Sequence, residues 1–151
     1  MHTDEQHDGD VRAIQSLIAR QFASLSWAPG ASTYWGAFAA DFLPDAPLYP
    51  AARPVGRQTV GAFVERMKGL AGTKLRSFRE GVLGTEVRVF GNVAVALAAC
   101  EMTENEADVS RGVEMLLLVK DDGVWRIVSQ AWDTETPGKP IPAHLLGRHG
   151  A

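Results

Sequence analysis

The sequence predicts an α+β domain in which helices cover one face of a curved antiparallel sheet. Apolar residues recur at helical spacing through the first half of the chain, while the second half is a succession of apolar, β-branched stretches parted by turn signals. Its 151 residues suit one domain with a substantial core, read here as residues 1–151 with the core at 10–135 and a tail at 136–151.

Val11, Ile14, Leu17, Ile18, Phe22 and Leu25 follow an i, i+3, i+4, i+7 pattern after Asp10, a residue suited to cap a helix that ends before "APG" at 28–30. Ser32 or Thr33 can cap a second, short helix in which Trp35, Phe38 and Phe42 share a face, stopped by Pro44. A third helix is expected from Arg57, with Val60, Phe63, Val64, Met67 and Leu70 on one face and Gly69 and Gly72 near its end. "LYPAARPV" at 48–55 reads as a short edge strand, since Pro50 and Pro54 exclude a central position. "FREGVLGTEVRVF", "VAVALAACEMTEN", "RGVEMLLLVK" and "VWRIVSQAWDTE" form an antiparallel meander through the turns "GN", "NEAD" and "KDDG". Gly81 and Gly84 predict a bulge or bend that curves the sheet. The tail "TPGKPIPAHLLGRHGA" is expected to wrap over the surface.

The second of these strands has two apolar faces: Val93, Val95 and Leu97 alternate with Ala94, Ala96, Ala98, Cys100 and Met102. With helices on one side, the small-residue face is expected to bury itself against a second copy, giving a homodimer through the convex face of the sheet.

Composition excludes several classes. At 46% hydrophobic and 22% charged the chain reads as globular, and a net charge of −3 provides no basic surface for non-specific nucleic-acid binding. "MHTDEQHDGD" lacks the basic and apolar regions of a secretory signal, and no apolar run approaches membrane-spanning length, so a cytoplasmic protein without a membrane partner is expected. The single cysteine, Cys100, forms neither an internal disulfide nor a multi-thiolate zinc site and reads as a small buried hydrophobe. His2, His7, His144 and His149 lie near the chain ends, so neither a histidine dyad nor a metal site is expected. No phosphate loop, Ser-His-Asp arrangement or nucleotide fingerprint is present, and no cofactor is expected.

"KDDGVWRIVSQAWD" resembles the recurring Asp-Gly-x-Trp-Lys/Arg-Ile turn and strand of the nuclear transport factor 2-like superfamily. "WGAFAADFLPDAPL", "VFGNVAVALAACE", "IVSQAWDTE" and "PIPAHLL" are similar to an uncharacterised bacterial subfamily within it. The resemblance covers residues 10–135 and implies a cystatin-like cone: three N-terminal helices packed on a curved antiparallel sheet, with a pocket between the helices and the concave face. The superfamily includes ketosteroid isomerases, SnoaL-type polyketide cyclases, dehydratases and the non-catalytic association domain of calcium/calmodulin-dependent kinase. It thus implies either a cofactor-free isomerase, cyclase or dehydratase acting on a small apolar molecule, or a non-catalytic ligand-binding or homodimeric assembly module. The kinase association domain carries histidines where Ser129 and Ala131 stand, so no imidazole acid–base role carries over.

Candidate site residues follow from alternation. Counting in twos from Trp125 and Ile127 aims Ser129, Ala131 and Asp133 into the cone. If Lys120 faces Gly123, then Glu114 lies opposite Ser129 and points inward; a bulge at Gly123 would instead turn Glu114 out and Met115 and Val113 in. The "TENEAD" turn brings Arg111 to Glu101, as a structural ion pair or, on a cavity, a carboxylate-recognising or proton-transfer pair. Asp133, Glu114 and Glu101 are the candidate general bases, since a carboxylate in an apolar cone has a raised pKa unless paired. Tyr49, beside Pro50 at the expected mouth, is the candidate oxyanion donor. Trp35, Phe38, Phe42, Glu80, Arg111, Ser129 and Trp132 are the expected ligand-binding residues.

Overall fold

The computed structural model describes residues 4–28, 35–71 and 73–146; the expected capping residues Ser32 and Thr33, as well as Gly72, His2 and His149, lie outside them. Helix α1 spans Asp4–Ser24 and buries Ile14, Leu17, Ile18 and Phe22, each at most 1% exposed. It begins before the expected cap. Asp4 and Glu5 in its first turn favour the positive end of the helix dipole, but polar turns leave no apolar periodicity to read. Asp10 is therefore mid-helix and buried, accepting hydrogen bonds from Lys120 Nζ at 2.9 Å and Trp125 Nε1 at 3.1 Å. Helix α2 spans Trp35–Ala40, and α3 spans Val60–Ala71, burying Phe63, Val64 and Met67. The third helix starts later than Arg57 because Thr59 caps it, its Oγ1 accepting from Ala62 N at 3.0 Å.

Six strands form one sheet in the order β2-β1-β6-β5-β4-β3, with β1 Pro47–Tyr49, β2 Gln58–Thr59, β3 Phe78–Phe90, β4 Val93–Glu104, β5 Asp108–Asp121 and β6 Val124–Thr134. The meander β3 to β6 is antiparallel, as its turns require. The expected edge strand is not an edge: β1 runs parallel to β6 and β2 takes the outer place, leaving the prolines after β1 in the connection between them. No helix among the described residues is long and apolar enough to cross a membrane.

Two irregularities decide which side chains face the helices. Between β5 and β6, Asp122 and Gly123 both have positive φ, 51° and 77°, and form a two-residue turn closed by the pair Asp121 and Val124. Lys120 consequently faces Trp125, and no bulge sits at Gly123. The bulge falls further along, where Leu117 and Leu118 pair with Ser129 and Ile127 and leave Val128 unpaired. A second register shift between Val82 and Gly84 bends β3, in the segment where the glycines predicted it.

The concave face carries Ala94, Ala96, Ala98, Cys100, Leu116, Leu118, Trp125 and Ile127 into one core with α1, Phe38, Phe63 and Met67. The expected assignment of faces is thus reversed: the alanine face is covered by the chain's own helices, and Val93, Val95, Met115 and Leu117 on the opposite face are 42–54% exposed. Part of that convex face is covered by the tail. Ile141 and Leu145, the latter in a 3-10 turn over Ala143–Leu145, pack with Ala99 and border Leu83, Leu97 and Val113. Lys139 to Asp133 at 2.8 Å, Ile141 N to Glu135 Oε2 at 2.9 Å and His144 Nε2 to Glu86 Oε1 at 2.9 Å hold it there.

Candidate active site in the cone

A cavity of about 380 Å³ opens between α1, α3 and the concave face. Its walls are apolar, with Leu25, Phe38, Leu48, Phe63, Met67, Phe78, Met102 and Trp132. Phe63 packs against Phe38 with ring centroids 5.4 Å apart and meets the edge of Trp132 at 5.8 Å. Pro50, Ala51, Ala52, Arg66, Glu104 and Thr134 complete the lining, and its polar cluster is Gln21, Glu80, Glu114 and Gln130. Each of these four is 1–7% exposed.

Glu80 projects from β3 and Glu114 from β5, the strands on either side of β4, which carries Cys100. A carboxylate oxygen from each and the Cys100 Sγ all lie within 4.8 Å of one another. Neither carboxyl has an ion-pair partner among the described residues. Burial pushes Glu80 up to about 7, against hydrogen bonds from Cys100 and Glu114 that favour its charged form. Burial, then the charge of Glu80, raises Glu114 well above the ordinary carboxylate range, against a hydrogen bond from Gln130. The two carboxyls stand close enough to share a proton, and burial holds both toward the protonated form. The Cys100 thiol, buried beside the two acids and hydrogen-bonded to Gly112 O at 3.6 Å, is pushed far up and is no nucleophile. Gly112 leaves room that no other residue could: a Cβ there would lie 2.5 Å from Asp133 O.

Two glutamines complete the cluster. Gln130 Nε2 donates to Glu114 Oε1 and, at 3.0 Å, to Gln21 Oε1. Gln21 Nε2 donates back to Gln130 Oε1 at 2.9 Å. Glu80, Cys100 and Glu114 offer three ligand atoms that could hold a metal ion, and without one burial drives each toward its protonated form. The arrangement suits proton transfer.

The structure brings together four of the expected residues and separates the rest. Glu80, Glu114, Phe38 and Trp132 line the cavity. Glu114 points inward opposite Trp132 rather than Ser129, since the Asp122-Gly123 turn sets a different register. Asp133 does not face the cone. The bulge at Val128 reverses the alternation that holds at Trp125 and Ile127, so Gln130 and Trp132 point in while Ser129, Ala131 and Asp133 point out. Exposed Asp133 accepts from Lys139 at 2.8 Å and from Thr134 N at 2.9 Å, which hold it below its ordinary value. Glu101 and Arg111 are direct cross-strand partners joined at 3.1 Å, but on the convex face and about two-fifths exposed, so they are an ion pair and not a cavity pair. Tyr49 is turned away because its neighbour Leu48 takes the inward position in the short β1. Trp35 and Phe42 pack in the core without lining the cavity: Trp35 lies against Trp27 at 5.6 Å and Phe42 bridges to Ile127.

Gln21 was legible and missed: it falls on the apolar stripe Ile14, Leu17, Ile18, Phe22, where a polar residue has to find a buried partner. Gln130 was visible as a polar residue in an apolar strand, but only the bulge reveals its direction.

The α1-to-sheet cone, with its meander, bent strands and cavity, is the cystatin-like fold that solved nuclear transport factor 2-like proteins share. Among solved structures, the chain is similar to a scytalone dehydratase-like protein from Novosphingobium aromaticivorans, with 16% identity over 89% of each chain and a TM-score of 0.72. It is similar to the hexachlorocyclohexane dehydrochlorinase LinA-type3 from Novosphingobium barchaimii, at 13% identity over 89% of this chain and 92% of that one, TM-score 0.71. A cystatin-fold protein of Caulobacter vibrioides aligns at 19% identity over 85% and 91% of the two chains, TM-score 0.65. No protein-family model and no curated protein matches the sequence.

Proposed function

We propose that the cone binds a small, largely apolar molecule and moves a proton on it without a cofactor, as an isomerase, cyclase or dehydratase does. Glu80 is the general base and protonated Glu114 the donor. The observation that carries this reading is the hydrogen-bonded, ion-pair-free pair Glu80 and Glu114 buried against a cavity of about 380 Å³. Two buried carboxyls that face one site can divide the work of base and acid, and a value of about 7 suits a base at neutral pH. In an elimination, Glu80 takes the proton from carbon as the double bond forms, and Glu114 gives its proton to the departing hydroxyl, which leaves as water. The proton on Glu80 then passes across the hydrogen bond to Glu114 and restores the starting state. In an isomerisation, Glu80 returns the proton at another carbon. The neighbours named for dehydration and dehydrochlorination support an elimination. The apolar walls of Phe38, Phe63 and Trp132 support a compact ring as the body of the ligand.

The test is proton exchange. Cyclic ketones and β-hydroxyketones incubated in D₂O should gain deuterium beside the carbonyl or lose water faster with the protein than without it. Glu80→Gln should slow this about 10² to 10⁴-fold. Exchange no faster than buffer, or a Glu80→Gln protein as active as wild type, overturns the proposal.

A second reading rests on a different surface. The exposed strip of Val93, Val95, Met115 and Leu117 favours a homodimer through the convex face, with the cone as a ligand pocket in each copy. Sedimentation should find a dimer that Leu117→Lys converts to monomer, and a wild-type monomer at micromolar concentration would sink it.

A further inference from the structure

Gln21 is a buried polar side chain of the cavity with a hydrogen-bond donor left over. A primary amide offers two N–H donors and one acceptor oxygen. Gln130 spends both of its donors, on Glu114 Oε1 and on Gln21 Oε1. Gln21 Nε2 spends one, on Gln130 Oε1 at 2.9 Å, and its second hydrogen meets no acceptor among the described residues. The orientation of the two amides follows from Glu114. Its Oε1 accepts from the Gln130 nitrogen, and the Gln21 oxygen accepts from that same nitrogen. The Gln21 nitrogen is thereby left with a spare N–H on a side chain that is 1% exposed and borders the cavity. A buried donor without an acceptor is costly to leave unmade, and such groups call for an explanation. The helix that carries Gln21 is anchored on both sides of it by Ile14, Leu17, Ile18 and Phe22, so the donor is held in place before any ligand arrives.

We infer that the second amide hydrogen of Gln21 receives an oxygen of the ligand, and that the cone is therefore built for compact cyclic carbonyl compounds whose oxygen enters first. This rests on the proposed function and names its substrate class. A hydrocarbon would leave the N–H unmade. An amine would set its own donors against those of Gln21 and Glu114. A carbonyl oxygen accepts the Gln21 N–H with one of its lone pairs, and that hydrogen bond strengthens as negative charge gathers on the oxygen.

The experiment compares cyclic ketones, from cyclohexanone to decalone, with the matching methylene compounds in which CH₂ replaces the oxygen. Wild type should prefer the ketone by about tenfold or more, and Gln21→Met, close in length and apolar, should reduce that preference to about twofold while the methylene compound binds as before. Comparing each ketone with its own methylene analogue cancels any general loosening of the cavity. Gln130→Met breaks the glutamine pair but keeps the Gln21 N–H, so it should retain the preference. The infrared stretch of the bound carbonyl in wild type provides an answer that needs no variant to fold: it should move to lower frequency than in an apolar solvent. A preference unchanged in Gln21→Met, or a bound carbonyl stretching as it does in an apolar solvent, overturns the inference. Proton exchange dependent on Glu80 would survive that failure, and the proposed function with it. A wild type that binds neither ketone nor methylene compound removes both.

Discussion

Acidic side chains sit on both faces of one sheet, and the two sets behave as different chemical groups. On the concave face Glu80 and Glu114 are almost fully buried, stand beside each other, the Gln130 amide and the Cys100 thiol, and hold their protons toward neutral pH or above. On the convex face Asp133 and Glu101, each one strand from Glu114, are paired with Lys139 and Arg111 beside solvent, and Asp133 ionises more readily than usual. Residue type explains none of this, since both faces carry ordinary carboxyls. A cation within reach favours the charge on one side, and burial disfavours it on the other. An acid becomes a candidate catalyst here because its strand buries it without an ion-pair partner among the described residues, not because of the motif around it.

The largest way to break the contrast is to force a new charge onto the inner face. Ala96 is completely buried there among the helices, so Ala96→Glu should abolish folding or yield insoluble protein, a loss of several kcal/mol or more. Solubility and far-ultraviolet dichroism read this directly, and a soluble, folded variant would show that the face is not closed.

The outer face has a covered part as well, and uncovering it is the next largest effect. Leu145, 0% exposed against Ala99 and Ile141, should cost about 2 to 4 kcal/mol when changed to alanine, measured by urea unfolding. Full stability would mean that the tail does not hold to the sheet in solution.

Titration sharpens the comparison further. Because the folded state raises Glu80 from 4.5 to about 7, its contribution to stability is fully present below about pH 4.5 and is lost as pH rises through 7. The shift amounts to a loss on the order of 3 kcal/mol at alkaline pH. Glu114, raised in the same direction, adds to the trend. Glu80→Gln should flatten the pH dependence and melt higher than wild type at alkaline pH, with activity lost in exchange. A wild-type stability that climbs from acid to alkaline pH would contradict the buried pair.

The smallest effect belongs to Asp133→Asn. Its ion pair with Lys139 is solvent-exposed and screened, so unfolding midpoints should not change measurably, and ligands of the cone should bind as before. Weakened cavity binding would return Asp133 to the site.

Much of this was legible in the chain before folding, and the legible parts are those governed by neighbours in sequence. The apolar stripe of α1, the meander, the bend near Gly84, the Asp-Gly turn and the Glu101 to Arg111 pair all follow from local periodicity or from a turn of a few residues. What faces the cone was decided elsewhere. One extra residue at Val128 reverses the alternation of β6, exchanging Asp133 for Gln130 and Trp132 as inward-facing groups, and no turn residue in "WRIVSQAWD" marks it. The inner face of β4 became the inner face because α1 covers it, while the tail covers part of the other. Glu80 and Glu114, 34 positions apart in sequence, meet only because β4 places their strands on either side of Cys100. Alternation along a strand has a period of two and carries no absolute phase, so the sequence by itself determined which residues share a face, and only packing of the whole chain decided which face was dry.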